Sequence, residues 1–171
     1  MRGGGRCHTR VVDIAPVNPE GTLFVSGDVE DWEALRERGI DTIVDMDGDV
    51  DPGLPEAPNA IFYVYHPILD QDLPDLTKIE ALGRLVADLV SANHRVLVHC
   101  RMGLNRSVLV IATALTYLGM TGEQAVEHLR GCRPGALFNE AFAAHVLGLP
   151  ARRILVETLP PAPGGWDPGG R

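Results

Sequence analysis

Val96-Leu97-Val98-His99-Cys100-Arg101-Met102-Gly103-Leu104-Asn105-Arg106-Ser107 is the stretch on which the reading of this chain turns. Its three leading apolar residues predict a buried strand. Arg106-Ser107 opens a second apolar run, through Leu118, that suits a helix buried nearly all round. Between Cys100 and Arg106 lies a loop of five residues. A loop passing from a strand into a helix N-terminus presents unpaired backbone N–H groups, and the helix dipole adds positive potential, so the place suits an anion. Cys100 lies at its floor, and the field that binds a dianion also favours a thiolate over a thiol. Arg106 offers a planar guanidinium matched to two oxygens of a phosphoryl group. Gly103 lets the backbone turn its N–H inward. Arg101, Met102, Leu104 and Asn105 supply mainly backbone donors, with side chains directed to neighbours or to the mouth of the pocket. The plainer alternative is a structural cysteine ahead of an ordinary strand-to-helix turn.

Outward from this loop, strand and helix patterns alternate, which predicts an α/β domain. Short strands are expected at Arg10–Ile14, Thr22–Ser26, Asp41–Met46, Ile61–Tyr65 and Arg95–His99. A helix is expected over Asp28–Arg38, stopped by Gly39. Thr77 and Glu80 form a Thr-x-x-Glu capping box for a helix whose Ile79, Leu82, Leu85, Val86, Leu89 and Val90 share one face. The helix after the loop, Ser107–Leu118, ends at Gly119. Thr121 with Gln124 predicts a second capping box for a helix to about Gly131, and Asn139 is placed to cap a last helix to Leu147. Pro67–Asp75 reads as a Pro- and Asp-rich loop. Residues 1–9 and 158–171 read as flexible ends around one domain over 10–157. Trp166 in the tail is either a docking residue or an incidental exposed aromatic.

Composition narrows the functional classes. A length of 171 residues, 45% hydrophobic, with a mean hydropathy of +0.03, suits one globular domain with one sizeable core. No apolar run is long enough to span a membrane, and the start, MRGGGRCH, lacks the apolar centre of a secretory signal. A net charge of −8 argues against a broadly nucleic-acid-binding or membrane-adsorbing protein, so neither partner is expected. Three cysteines give no paired disulfide framework, and a reactive thiol must stay reduced, so a cytoplasmic location is expected. His8, His66, His94, His128 and His145 show no metal-ligand spacing, and the glycines form neither a dinucleotide fingerprint nor a Walker loop. No metal or cofactor is therefore expected. Cys132 is either a partner for a reversible disulfide with Cys100 or a passive thiol.

His-Cys, five residues, then Arg-Ser resembles the signature of the protein tyrosine phosphatase superfamily. The segment LFVSGDVEDWEALRERGIDTIVDM, residues 23–46, is similar to the opening of the small dual-specificity members. Residues 119–142, GMTGEQAVEHLRGCRPGALFNEAF, are similar to their closing helices. The resemblance spans about Thr22 to Leu149 and implies a central, mostly parallel sheet of four or five strands flanked by helices. It implies that Cys100 attacks phosphorus, that Arg106 holds phosphoryl oxygens, and that Ser107 helps the thiolate depart. It also implies that His99 supports the loop from behind. On the residues alone, His99 reads equally well as a packed core histidine and Ser107 as an ordinary first-turn serine. The leaving oxygen needs a proton, so a carboxylic acid is expected over the pocket, with Asp70, Asp72 and Asp75 as candidates. Tyr65–Asp70, YHPILD, resembles the Pro-Ile-x-Asp segment of the small members and implies Asp70, thirty residues before Cys100, with Asp72 as the alternative. Neither a Trp-Pro-Asp sequence nor a long phosphotyrosine-recognition insert is present.

The function implied is a monomeric, cysteine-dependent phosphomonoesterase acting on phosphotyrosine and on phosphoserine or phosphothreonine in proteins. Two alternatives stay open here. One is the same chemistry on a phosphoinositide, an inositol phosphate or an RNA 5′-phosphate. The other is a phospho-binding module without turnover. Rhodanese-like sulfur transfer fits the five-residue loop and its Arg-Ser ending less well.

Overall fold

A computed structural model describes residues 13–55 and 59–152. The expectations for Cys7, His8, Trp166, the first residues of the Arg10–Ile14 strand, and the ends 1–9 and 158–171 lie outside the described residues. Five strands, β1 (Ile14–Pro16), β2 (Leu23–Ser26), β3 (Thr42–Asp45), β4 (Phe62–Tyr65) and β5 (Val96–His99), form one sheet in the order β1-β2-β5-β3-β4. β1 runs antiparallel to β2, and every other pair is parallel. Pro16, which has no N–H to donate, sits in the edge strand, where one is not needed.

Side chains alternate across the sheet, yet both faces are apolar. Leu23, Val25, Val44, Val96 and Val98 face the larger core, while Phe24, Ile43 and Leu97 face the smaller one. This two-sided burial is why β5, at the centre, reads as an unbroken apolar run. The smaller face is covered by α1 (Trp32–Glu37), through Trp32 and Leu35. The larger face carries α2 (Leu76–Ser91), α3 (Arg106–Tyr117), α4 (Gly122–Cys132) and α5 (Glu140–Leu147). α3 is buried from Ser107 to Thr116, as its all-round apolarity requires. Its two interior hydroxyls are satisfied within the helix: Thr113 donates to Leu109 O at 2.9 Å and Thr116 to Thr113 O at 2.7 Å.

Two helix starts differ from expectation. α1 begins at Trp32 rather than Asp28, because Asp31 has extended backbone and its carboxylate accepts the Ala34 N–H. α2 is capped by Asp75, whose side chain accepts the Thr77 N–H, so the Thr77/Glu80 box does not form. Glu80 instead pairs with Arg152 and accepts the Tyr117 hydroxyl. The Thr121/Gln124 box and the Asn139 cap are both present.

α2 meets α3 tightly at Gly83, where an added Cβ would lie 2.5 Å from Thr113 Cγ2 and 2.8 Å from Thr113 Cβ. Helix propensity alone favours Ala over Gly by about 1 kcal/mol. Overpacking opposes this with about 1–3 kcal/mol. Gly83→Ala is therefore expected to lower the unfolding free energy in a urea titration, and a second change, Thr113→Ala, to recover part of the loss.

Candidate active site

The parallel strands β2, β5 and β3 end at one edge of the sheet, and the loop from β5 to α3 rises from the middle of that edge, where ligands of open α/β sheets bind. Neighbouring elements hold its backbone. Met46 N–H donates to His99 O at 3.0 Å, and Leu137 N–H to Leu104 O at 2.8 Å. The Arg133 guanidinium donates to Met102 O at 2.9 Å. Gly103 has φ of 65°, and a Cβ there would stand 2.4 Å from Ser26 O, so the loop passes too close to β2 for any side chain.

Cys100 is 2% exposed, and its Sγ lies 3.4 Å from Ser107 Oγ. Asn105 stands at the cap position of α3 but makes no side-chain cap bond, so the first N–H groups of the helix have no side-chain acceptor. Arg106 is fixed through Nη1, which donates to Asp47 Oδ1 at 2.9 Å, Met46 O at 3.1 Å and Ile68 O at 3.4 Å. Its Nε is buried without a partner among the described residues. A guanidinium anchored on one side with a buried donor left over is arranged to receive an oxyanion. Arg101 and Met102 are exposed at the mouth, and Leu104 is half-buried.

Behind the loop, His99 is fully buried beside two carboxylates. Its Nε2 lies 2.9 Å from Asp51 Oδ2 and 3.7 Å from Asp45 Oδ1. Neither ring nitrogen makes a well-directed hydrogen bond among the described residues, so the ring packs closely against both carboxylates without one. Tyr63 bridges the pair, with its hydroxyl 2.5 Å from Asp45 Oδ2 and 2.9 Å from Asp51 Oδ2. Burial and then Asp45 push the Tyr63 hydroxyl far above its usual range. Burial also pushes Asp45 upward, against the lowering action of Tyr63 and of the Asp47 N–H. At Asp47 burial is outweighed by the Gly48 N–H and the Arg106 guanidinium, which together hold its carboxyl below the ordinary value. Asp45, Asp51 and His99 present oxygen and nitrogen atoms within 4.8 Å of one another, a spacing a metal ion could use, but internal hydrogen bonds already engage both carboxylates.

Asp70 accepts one hydrogen bond on each oxygen, from Asn105 Nδ2 at 2.9 Å and Asn139 Nδ2 at 3.0 Å. Asp72 is exposed and makes no hydrogen bond or ion pair among the described residues, and Asp75 is occupied in capping α2. The structure thus ties Asp70, through Asn105, to the loop that carries Cys100, Arg106 and Ser107 and follows His99, whereas Asp72 and Asp75 make no hydrogen bond to that loop among the described residues. Cys132 sits elsewhere, its Sγ 3.6 Å from His128 Nε2 and 3.9 Å from Val17 O, and both described thiols are free. Sequence reasoning missed Asp45, Asp47, Asp51, Tyr63 and the second role of Asn139. A run of alternate carboxylates in DMDGDVD, starting at the end of an apolar strand, was the available signal for the first three.

A family model described as a polymorphic toxin system, DSP-PTPase phosphatase matches residues 24–120, more than half of the chain. The chain belongs to this phosphatase family. It is 34% identical over 114 residues to dual specificity protein phosphatase 12 of Rattus norvegicus, covering 63% of this chain and 32% of that protein. The Homo sapiens counterpart is 32% identical over 120 residues, covering 67% and 34%. The chain therefore spans about a third of the length of these curated relatives. Among solved structures, a mouse protein described as a dual specificity phosphatase, complexed with zinc tungstate, matches with TM-score 0.69 and 26% identity, covering 83% of this chain and 89% of that one. Human DUSP28 matches with TM-score 0.65 and 25% identity, covering 78% and 89%. The α/β architecture and the small dual-specificity type implied by the signature loop are those of this family.

The buried diacid has a consequence for stability. An aspartate whose folded value lies above the ordinary 3.8 binds its proton more tightly when folded, so stability is lost as pH rises through that window. Asp45→Asn removes this titration. Urea unfolding at a series of pH values from about 4 to 7 should show the variant gaining stability relative to wild type as pH rises.

Proposed function

We propose that the protein is a cysteine-dependent phosphomonoesterase acting on phosphotyrosine and on phosphoserine or phosphothreonine in proteins. The observation that carries this reading is a buried thiol, Cys100, at the floor of a helix N-terminus whose Arg106 is anchored through Nη1 and keeps a buried Nε donor without a partner among the described residues. Spontaneous hydrolysis of phosphate monoesters is among the slowest biological reactions, and two easier displacements replace one hard one. The Cys100 thiolate attacks phosphorus while Arg106 and the loop N–H groups hold the equatorial oxygens. As the P–O bond breaks, Asp70 gives its proton to the leaving oxygen. Water then attacks the cysteinyl-phosphate, its proton passes to Asp70, and the Ser107 hydroxyl donates to the departing sulfur.

Protein substrates are favoured over polyanionic lipids or RNA by the carboxylates at the mouth. Asp47 stands against Arg106, and Asp28 feels both Asp47 and Arg101. For a single phosphoryl group the attraction of Arg106 and the loop N–H groups offsets that repulsion, whereas each further phosphate of a polyanion adds to it. No helix among the described residues is long and apolar enough to cross a membrane. In this reading one domain, residues 10–157, acts as a monomer in the cytoplasm, where the thiol stays reduced.

Phosphate release, measured in EDTA on phosphotyrosine, phosphoserine and phosphothreonine peptides, a phosphoinositide and an RNA 5′-phosphate, tests the reading. Release from the peptides is expected, with none from Cys100→Ser, which still binds inorganic phosphate. Asp70→Ala should lower kcat on the peptides by about 10²–10⁴. Release confined to lipid or RNA, or release that survives in Cys100→Ser, would overturn it.

A further inference from the structure

Hydrogen bonds around Asp70 are directed in a way that the loop's own stability does not explain. Asn105 is 1% exposed and occupies a helix cap position, where an asparagine side chain ordinarily accepts an N–H of its own helix. Here it does not. Its Oδ1 accepts Asn139 N–H at 3.0 Å, and its Nδ2 donates to Asp70 Oδ2. Asn139 is fixed in turn: Oδ1 accepts Phe142 N–H at 3.2 Å, while Nδ2 donates to Asp70 Oδ1 and to Gln71 O at 2.9 Å. Neither amide can be flipped, because each would then turn an oxygen on the carboxylate and an N–H₂ on a backbone donor.

We propose that Asn105 and Asn139 form an amide clamp that positions Asp70 as the proton donor, a role that rests on Asp70 being the acid. The start of the same loop is tied down by Ile68, whose N–H donates to Met46 O at 3.5 Å and whose carbonyl accepts from Arg106. With anchors at residue 68 and at 70 to 71, the acid is referenced to the phosphate loop, through Asn105, and to α5, through Asn139. The clamp also fits the chemistry. Each Asp70 oxygen has one lone pair engaged and another for the transferred proton. Negative charge develops on the carboxylate as the proton leaves, and two N–H donors already face it, so their stabilisation is larger in the transition state than before it. A chain without a Trp-Pro-Asp sequence thereby holds its acid in place with side-chain amides.

Asn139→Ser keeps a capping oxygen for α5 and removes the amide donor. Asn105→Ser makes the matching change on the other side. Each variant is assayed on a phosphotyrosine peptide, whose leaving phenol has a pKa of about 10, and on an aryl phosphate whose phenol is acidic enough to leave unprotonated. On the peptide, kcat is expected to fall about ten- to a hundredfold. On the activated ester each variant is expected to lose several-fold less than it loses on the peptide. Equal losses on both substrates would mean a structural role, and no loss on either would mean no role; both overturn the clamp. Asp70→Asn run in parallel separates the two claims. If it shows the leaving-group dependence and the asparagine variants do not, the clamp alone fails. If it too lacks that dependence, the acid assignment fails and the clamp falls with it.

Discussion

Backbone N–H groups that converge on one point cannot be satisfied by the loop that carries them, so a loop of this kind holds its shape only if its surroundings impose it. Between β5 and α3 that requirement governs much of the molecule. β5 is central, so the loop starts from the most buried strand. α3 is buried along nearly its whole length, so the loop also ends in something immovable. The intervening carbonyls of His99, Met102 and Leu104 are taken by Met46 just after β3, by Arg133 and by Leu137 in the segment before α5, so neighbouring elements fix the loop at three points.

Charge is arranged around the same backbone in two layers. On the pocket side, Asp47 holds Arg106 by one nitrogen and so orients the rest of the guanidinium. On the far side, His99 at the end of β5, Asp45 at the end of β3, Asp51 in the loop that follows and half-buried Tyr63 of β4 form a polar cluster. Burial in a low-dielectric interior is what pushes Asp45 upward, and the Asp51 carboxylate adds a smaller push in the same direction. The sheet brings these groups together because Asp45 pairs with His99 in register, and Tyr65, two residues after Tyr63, pairs with Asp45.

The elements that were legible in the sequence were those with local signals. The Thr121/Gln124 box and the Asn139 cap depend on side chains reaching their own helix, and both formed. The Thr77/Glu80 pattern carried the same signal and failed, because Asp75 capped the helix first and Arg152, distant in sequence, claimed Glu80. α1 was overextended at its start for the same reason, an aspartate whose side chain set the cap later than the apolar pattern suggested.

By itself the sequence determined the α/β class, the central strand, and the placing of Cys100, Arg106 and Ser107 on one loop, because each follows from contiguous residues and hydrophobic period. Tertiary structure decided which distant groups meet that loop: Asp47 on Arg106, the diacid on His99, and Asn105 with Asn139 on Asp70. These contacts join residues up to sixty-nine positions apart, and an amide or a carboxylate carries no mark of its partner until the sheet order and the helix packing have brought the two together.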